Sequence, residues 1–129
     1  MMNEKLSILL VEDNVLNQRI VTFGLKKYNH EVSIANNGKE ALDMFKKGKF
    51  DVILMDIMMP VMDGLEATLK IREYENSNNH QEQTPIIAIT ANTMDNDREK
   101  CLSYGMNEFM AKPFDVEKLK QIFEDLSIY

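Results

Sequence analysis

Short, continuous apolar runs alternate along this chain with segments whose apolar residues recur every three or four positions. The first run, residues 6–11 (LSILLV), stops abruptly at the acids Glu12 and Asp13. Behind it, Asn14 is suited to cap a helix, because its side-chain oxygen can accept a backbone N–H that a helix start leaves unpaired. Leu16, Ile20, Phe23 and Lys27 then step at helical spacing. Asn29 and His30 interrupt the pattern before a second, β-branched run at 31–35. Asn36-Asn37-Gly38 is turn chemistry, and Ala41, Leu42 and Phe45 form one side of a short helix that closes at Gly48. The third run, 52–55, again ends at an acid, Asp56. Pro60 and Gly64 bracket a loop, and Leu65, Leu69 and Ile71 belong to a helix running to about Tyr74. Residues 75–84 (ENSNNHQEQT) are polar and aperiodic, as expected of an exposed loop. Pro85 opens a fourth run, 86–89, which ends at Thr90. A polar helix over 94–104 is predicted to stop at Gly105, a good residue for the left-handed conformation that closes helices. The fifth run, 108–111, ends at Lys112-Pro113, and Val116, Leu119, Ile122, Phe123 and Leu126 mark a last amphipathic helix.

Strands that lack polar alternation and are separated by helices belong in a parallel sheet covered on both faces. With right-handed crossovers, the expected fold is α/β: a (βα)5 doubly wound parallel sheet in a three-layer sandwich, with flavodoxin-like strand order 2-1-3-4-5. One domain over residues 1–129 is expected, since that length suits a single core.

Composition narrows the setting. With 44% hydrophobic and 28% charged residues, the chain reads as an ordinary globular protein. A formal net charge of −6 repels phosphate backbones, so no direct nucleic-acid partner is expected. No apolar run approaches the roughly 18–20 residues that span a bilayer, so no membrane contact by this domain is expected. The amino end, MMNEKLSILLVEDN, reaches charged residues too soon for a secretory leader, and the single cysteine, Cys101, cannot form an internal disulfide. Both point to the cytoplasm.

Chemistry gathers where the strands end. In an open α/β sheet the carboxyl ends of the strands share one edge, where ligands bind. Strand 1 delivers Glu12 and Asp13 to that edge, strand 3 Asp56, strand 4 Thr90 and strand 5 Lys112. Three carboxylates in one cleft repel one another unless a cation intervenes, and Lys112 alone supplies too little charge. Oxygen ligands without His or thiol favour a hard divalent ion. Mg2+ fits best, because it takes one or two carboxylates and binds phosphate oxygens, and Mn2+ is a possible substitute. A carboxylate beside such an ion can act as a nucleophile toward phosphorus, with Lys112 and the Thr90 hydroxyl placed to neutralise the phosphoryl oxygens. Asp56 could instead be only a helix-start acid and Lys112 a solvated strand-end charge, but their shared edge with Asp13 and Thr90 favours function.

The runs ILLVEDN (8–14), DVILMDIMMPVMDG (51–64), PIIAITAN (85–92) and EFMAKPF (108–114) resemble response-regulator receiver domains of two-component signalling systems, in order and over essentially the whole chain. The resemblance implies that Asp56 is the phosphoacceptor and Asp13 the direct metal ligand, with Glu12 reaching the metal through water. It also implies the backbone carbonyl of Met58 as a further ligand, Thr90 and Phe109 as switch residues, and a cis peptide between Lys112 and Pro113. Phe109 lacks a phenol, so a tyrosine's hydrogen bond on activation is unavailable, and Met58 and Asn92 occupy positions that tune aspartyl-phosphate lifetime in the family. VEDNVLNQ (11–18), ITAN (89–92) and YGMNEFMAKPF (104–114) are most similar to receivers of hybrid sensor histidine kinases, the alternative being a stand-alone single-domain regulator. The implied partners are a histidine kinase phosphodonor and, through the helix 4–strand 5–helix 5 face, a histidine phosphotransfer protein or other downstream protein. In a hybrid kinase the chain would be the cytoplasmic part of a membrane-bound sensor.

Such a module catalyses its own phosphorylation but turns over no independent substrate. A haloacid-dehalogenase-like phosphatase would need an aspartate where Met58 stands, and a flavodoxin-type carrier would need a Ser, Thr and Gly-rich loop where EDN stands. An inert pseudo-receiver would lack residues that are all present here.

Overall fold

The computed structural model describes residues 5–57, 62–79, 82–90, 97–112 and 114–128. Five strands alternate with five helices: β1 (Ser7–Val11), α1 (Val15–Lys26), β2 (Glu31–Ala35), α2 (Gly38–Lys47), β3 (Val52–Asp56), α3 (Gly64–Ser77), β4 (Ile86–Thr90), α4 (Asp97–Ser103), β5 (Glu108–Ala111) and α5 (Val116–Asp125). All strand pairs are parallel, in the order β2-β1-β3-β4-β5. The expected α/β fold and its strand order are what forms.

The central strands are apolar on both faces because helices cover both. Leu6, Ile8, Leu10, Leu54, Ile87, Ile89 and Met110 pack with Val21 and Leu25 of α1 and Leu119 and Phe123 of α5. On the other face Leu9, Val11, Ile53, Met55, Ile86 and Ala88 meet α2, α3 and α4 through Ala41, Phe45, Ala67, Ile71 and Cys101. Each fully buried aliphatic side chain contributes about 1.5–3 kcal/mol relative to exposure. Cys101 is thus a core residue of α4, whose Leu102 stays exposed, and Met55 fills the core as its strand position requires.

Three elements differ from the sequence pattern. The α1 stripe of Leu16, Ile20 and Phe23 is helical but faces solvent, Phe23 being 72% exposed, and the inward face is Gln18, Val21, Gly24 and Leu25. Helix α3 continues past Tyr74 to Ser77, taking in Glu75, which is buried rather than part of an exposed loop. Arg72 explains the extra turn: its guanidinium pairs with Glu75 at 2.7 Å and also donates to the carbonyls of Thr84 and Gly105 and to Asn107 Oδ1, each at 2.9 Å. Helix α4 spans Asp97–Ser103 within the predicted 94–104, whose first residues lie outside the described ones. Gly105 follows at φ 106°, the left-handed geometry expected of it.

His30, read from sequence as a loop residue, is buried, and its Nδ1 accepts the Leu6 N–H at 3.1 Å while its ring meets Phe123 edge-on. Burial pushes its pKa below the usual histidine value. A depressed histidine pKa means that the unfolded chain binds the proton more readily. This stability is therefore complete above the ordinary value of about 6.5 and is lost as pH falls from there toward the folded value. Thermal unfolding from about pH 7.5 to about pH 5.5 is expected to show a falling melting temperature, with a shallower slope in His30→Gln; equal slopes would exclude His30 as the cause.

Candidate functional site

Register alone places the acids. Val11 of β1 lies opposite Met55 of β3, so the next residues, Glu12 and Asp56, leave adjacent strands at one level. Asp56 in turn aligns with Ile89, one residue before Thr90, and Thr90 aligns with Ala111, one residue before Lys112. The Lys112 N–H donates to the Thr90 carbonyl at 2.8 Å, extending the ladder by one bond. Residues from four strand ends therefore converge on one edge of the sheet.

Glu12, Asp13 and Asp56 each present a carboxylate oxygen, and these atoms all lie within 4.8 Å of one another. Glu12 and Asp56 are buried, and Asp13 is exposed at the rim. Lys112 Nζ stands 3.3 Å from Asp56 Oδ2 and 3.4 Å from Glu12 Oε1, bridging two of the three acids. Burial pushes the Glu12 carboxyl above its ordinary value; the Asn14 backbone N–H pulls it down, the Asp56 charge pushes it up, and Lys112 pulls it down. One ammonium leaves this cluster short of positive charge, and an all-oxygen donor set of this size suits a hard divalent cation. Thr90 is buried at the end of β4, and Phe109 is half-buried against the α2–α4 side of the core. Met58, Asn92 and Pro113, and with Pro113 the expected cis peptide, lie outside the described residues.

A family model for the response regulator receiver domain matches residues 8–124. The chain belongs to this family. The hybrid signal transduction histidine kinase B of Dictyostelium discoideum is 48% identical over 113 residues, covering 82% of this receiver and 6% of that protein. The receiver domain of sensor histidine kinase PA1611 from Pseudomonas aeruginosa, solved with a magnesium ion coordinated in its active-site cleft, superposes with a TM-score of 0.82 at 40% identity, covering 95% of this chain and 97% of that one. The receiver domain of Ssk1 from Saccharomyces cerevisiae, solved with the histidine phosphotransfer signalling protein Ypd1, gives a TM-score of 0.87 at 37% identity over 93% of this chain and 88% of that one. The receiver spans 5% to 15% of the length of the curated relatives it matches.

One residue of the site has a role that its reading as a loop boundary does not convey. Gly64, the first residue of α3, donates its N–H to the Ile57 carbonyl at 2.9 Å, and a Cβ there would run into the Asp56 carbonyl and lie 2.9 Å from Ile57 Cα. Both obstacles are backbone, so they cannot swing aside. Gly64→Ala is expected to displace the segment after β3 and cost about 1–3 kcal/mol. Thermal denaturation checks it, and an unchanged melting temperature would show that the loop yields without strain.

Proposed function

We propose that this receiver accepts a phosphoryl group from a phosphohistidine onto Asp56 and signals through the consequent change of surface. One observation carries the reading: acids from the ends of β1 and β3 share a space small enough for one cation, with a lysine ammonium against two of them. Asp13 and Asp56 would hold Mg2+ directly, Glu12 would hold it through water, and the Met58 carbonyl would complete the protein ligands; Mn2+ suits the same oxygens. When bound, the ion supplies charge neutralisation at the transferring oxygens.

The rest is the work of the chain itself. An Asp56 carboxylate oxygen forms a bond to phosphorus as the phosphorus–nitrogen bond of the donor breaks, and the donor ring, protonated on its other nitrogen, takes that electron pair and leaves as neutral imidazole. Lys112 and the Thr90 hydroxyl hold equatorial oxygens in place, so the step is positioning and charge compensation rather than turnover of an independent substrate. Drawn toward the phosphoryl group, Thr90 leaves room that Phe109 follows, and the α4–β5–α5 face changes its affinity for a downstream protein by population shift.

The donor needs a landing place beside Asp56. Helix α1 begins directly after the acid pair and exposes Val15, Leu16, Ile20 and Phe23 along one side. We assign that apolar side, rather than the α4–β5–α5 face expected from the resemblance, to a histidine-bearing phosphotransfer partner, because the exposed apolar residues lie here beside Asp56; the Ssk1 receiver, similar to this chain, is solved with such a protein, Ypd1. The hybrid-kinase relatives support placement within a hybrid sensor histidine kinase in the cytoplasm, rather than as a stand-alone regulator. Among the described residues no helix is long and apolar enough to cross a membrane.

Acetyl phosphate with Mg2+ is expected to add the mass of one phosphoryl group, and EDTA to suppress it; no gain under any condition refutes the reading. Phe23→Ala combined with Leu16→Ala is expected to slow transfer from a phosphorylated histidine phosphotransfer protein by about tenfold or more, the scale of losing an apolar anchor, while uptake from acetyl phosphate is unchanged. Equal slowing with both donors would place the effect inside the site and remove α1 from docking.

A further inference from the structure

We propose that Gln18 is a positioning residue for the divalent-metal site, acting through a relay that ties the acid-bearing loop to the turn between β2 and α2. This rests on the metal reading above and goes beyond it, because the Gln18 amide bonds the Glu12 backbone carbonyl and not a carboxylate of the cluster.

The relay is made of side-chain amides whose orientation is fixed. Gln18 lies on the inward face of α1, 9% exposed, and its Nε2 donates to the Glu12 backbone carbonyl at 2.6 Å and to Asn36 Oδ1 at 2.9 Å. An amide nitrogen has two hydrogens, so both are spent. Asn36 presents its oxygen to Gln18 because its other end is committed: Nδ2 and the backbone N–H both donate to Glu40 Oε1, at 3.1 Å and 2.9 Å. The Glu12 N–H donates to the Ala35 carbonyl at 3.0 Å, so the Glu12 peptide is held from both sides by the β2 end of the molecule. The Glu12 carboxylate is set in turn by the Asn14 N–H, donating to Oε2 at 3.1 Å. The same turn reaches the other half of the site, since the Gly38 N–H donates to the Met62 carbonyl at 3.0 Å, two residues before Gly64 backs Asp56.

Residues 36–38 therefore brace both arms that carry the acids, and Gln18 is the link to the arm bearing Glu12 and Asp13. A cation shared between two loops is sensitive to their relative placement. Partners that only orient the ligands typically account for about ten- to hundredfold in affinity.

The test is a titration of the intact chain with Mg2+ alone, followed by amide NMR shifts, for the wild type, Gln18→Met, Asn36→Ala and the double variant. Gln18→Met keeps the length and helix preference of the side chain and deletes both donors. It is expected to weaken Mg2+ binding by about tenfold or more. Asn36→Ala, which leaves the Glu12–Gln18 bond in place, is expected to weaken binding less, and the double variant to bind as Gln18→Met does, since both act through one relay. Leu126→Ala, destabilising at the far end of α5, is expected to leave the affinity unchanged. Wild-type affinity in Gln18→Met, full additivity in the double variant, or an equal loss in Leu126→Ala overturns the proposal while leaving the metal reading intact. A wild type that binds no Mg2+ overturns the metal reading itself. Should Gln18→Met not fold, the surface variant Asn36→Ala carries the test, and unchanged affinity there overturns the relay.

Discussion

Asp56→Asn should end phosphoryl uptake from acetyl phosphate, with a loss of about 10^3-fold or more, the scale seen when a nucleophile is removed from a working site. Asparagine keeps the shape of the side chain at the end of β3 but offers an amide in place of an ionised oxygen, so no bond to phosphorus forms. The substitution also removes one of three crowded acids. Glu12 is pushed up in part by the charge on Asp56, and Lys112 loses one of its two carboxylate contacts but keeps the other. Loss of labelling with a melting temperature equal to or above the wild type is thus the expected pair of results. Labelling that persists in Asp56→Asn would place the acceptor on another residue, Glu12 and Asp13 being the other acids of the cluster.

The largest stability effect is expected far from the chemistry. Arg72→Met should destabilise the fold by about 3–5 kcal/mol, because it leaves Glu75 as a buried charge without its partner. The side chains of Arg72 and Glu75 are 9% and 1% exposed, so solvent does little to screen them. More is lost than the ion pair. Glu75 Oε2 accepts the Thr84 N–H and Asn107 Oδ1 accepts the Ile86 N–H, both at 2.8 Å, so the guanidinium sits at the centre of a network that pins the starts of β4 and β5. A typical domain has about 5–15 kcal/mol in total, so a large part of the margin would go. Chemical denaturation at constant pH reads it directly. A midpoint within experimental error of the wild type would mean that Glu75 is solvated instead.

The sequence made the sheet legible because its physics is local and repetitive. Apolar runs of four to six residues without alternation, separated by helical segments, read as strands covered on both faces, and the residues that stop them, Glu12, Asp56, Thr90 and Lys112, are conspicuous for the same reason. Parallel pairing then brings them together without further information. What stayed hidden depends on contacts between distant residues. Glu75 reads as the start of a polar loop because nothing in the local pattern says that Arg72 and the Thr84 N–H will both bond its carboxylate. Leu16, Ile20 and Phe23 read as a helix face, and they are one, but periodicity cannot say which of two apolar sides turns inward; Val21, Gly24 and Leu25 won because Gly24 allows close approach to Phe114. Gly64 reads only as a loop boundary and Gln18 only as the last residue of a motif, and the backbone beside each is what shows its purpose.

Charge sharing between two loops is the physical core of this account, and Mn2+ in place of Mg2+ makes it visible. Added at substoichiometric amounts to uniformly 15N-labelled protein, the paramagnetic ion should broaden the amides of Glu12, Asp13, Asp56 and Ile57 first and leave the Arg72–Glu75 end of the molecule sharp. Broadening centred on any other acidic surface, or none near β1 and β3, would contradict a shared cation and the phosphoacceptor chemistry built on it.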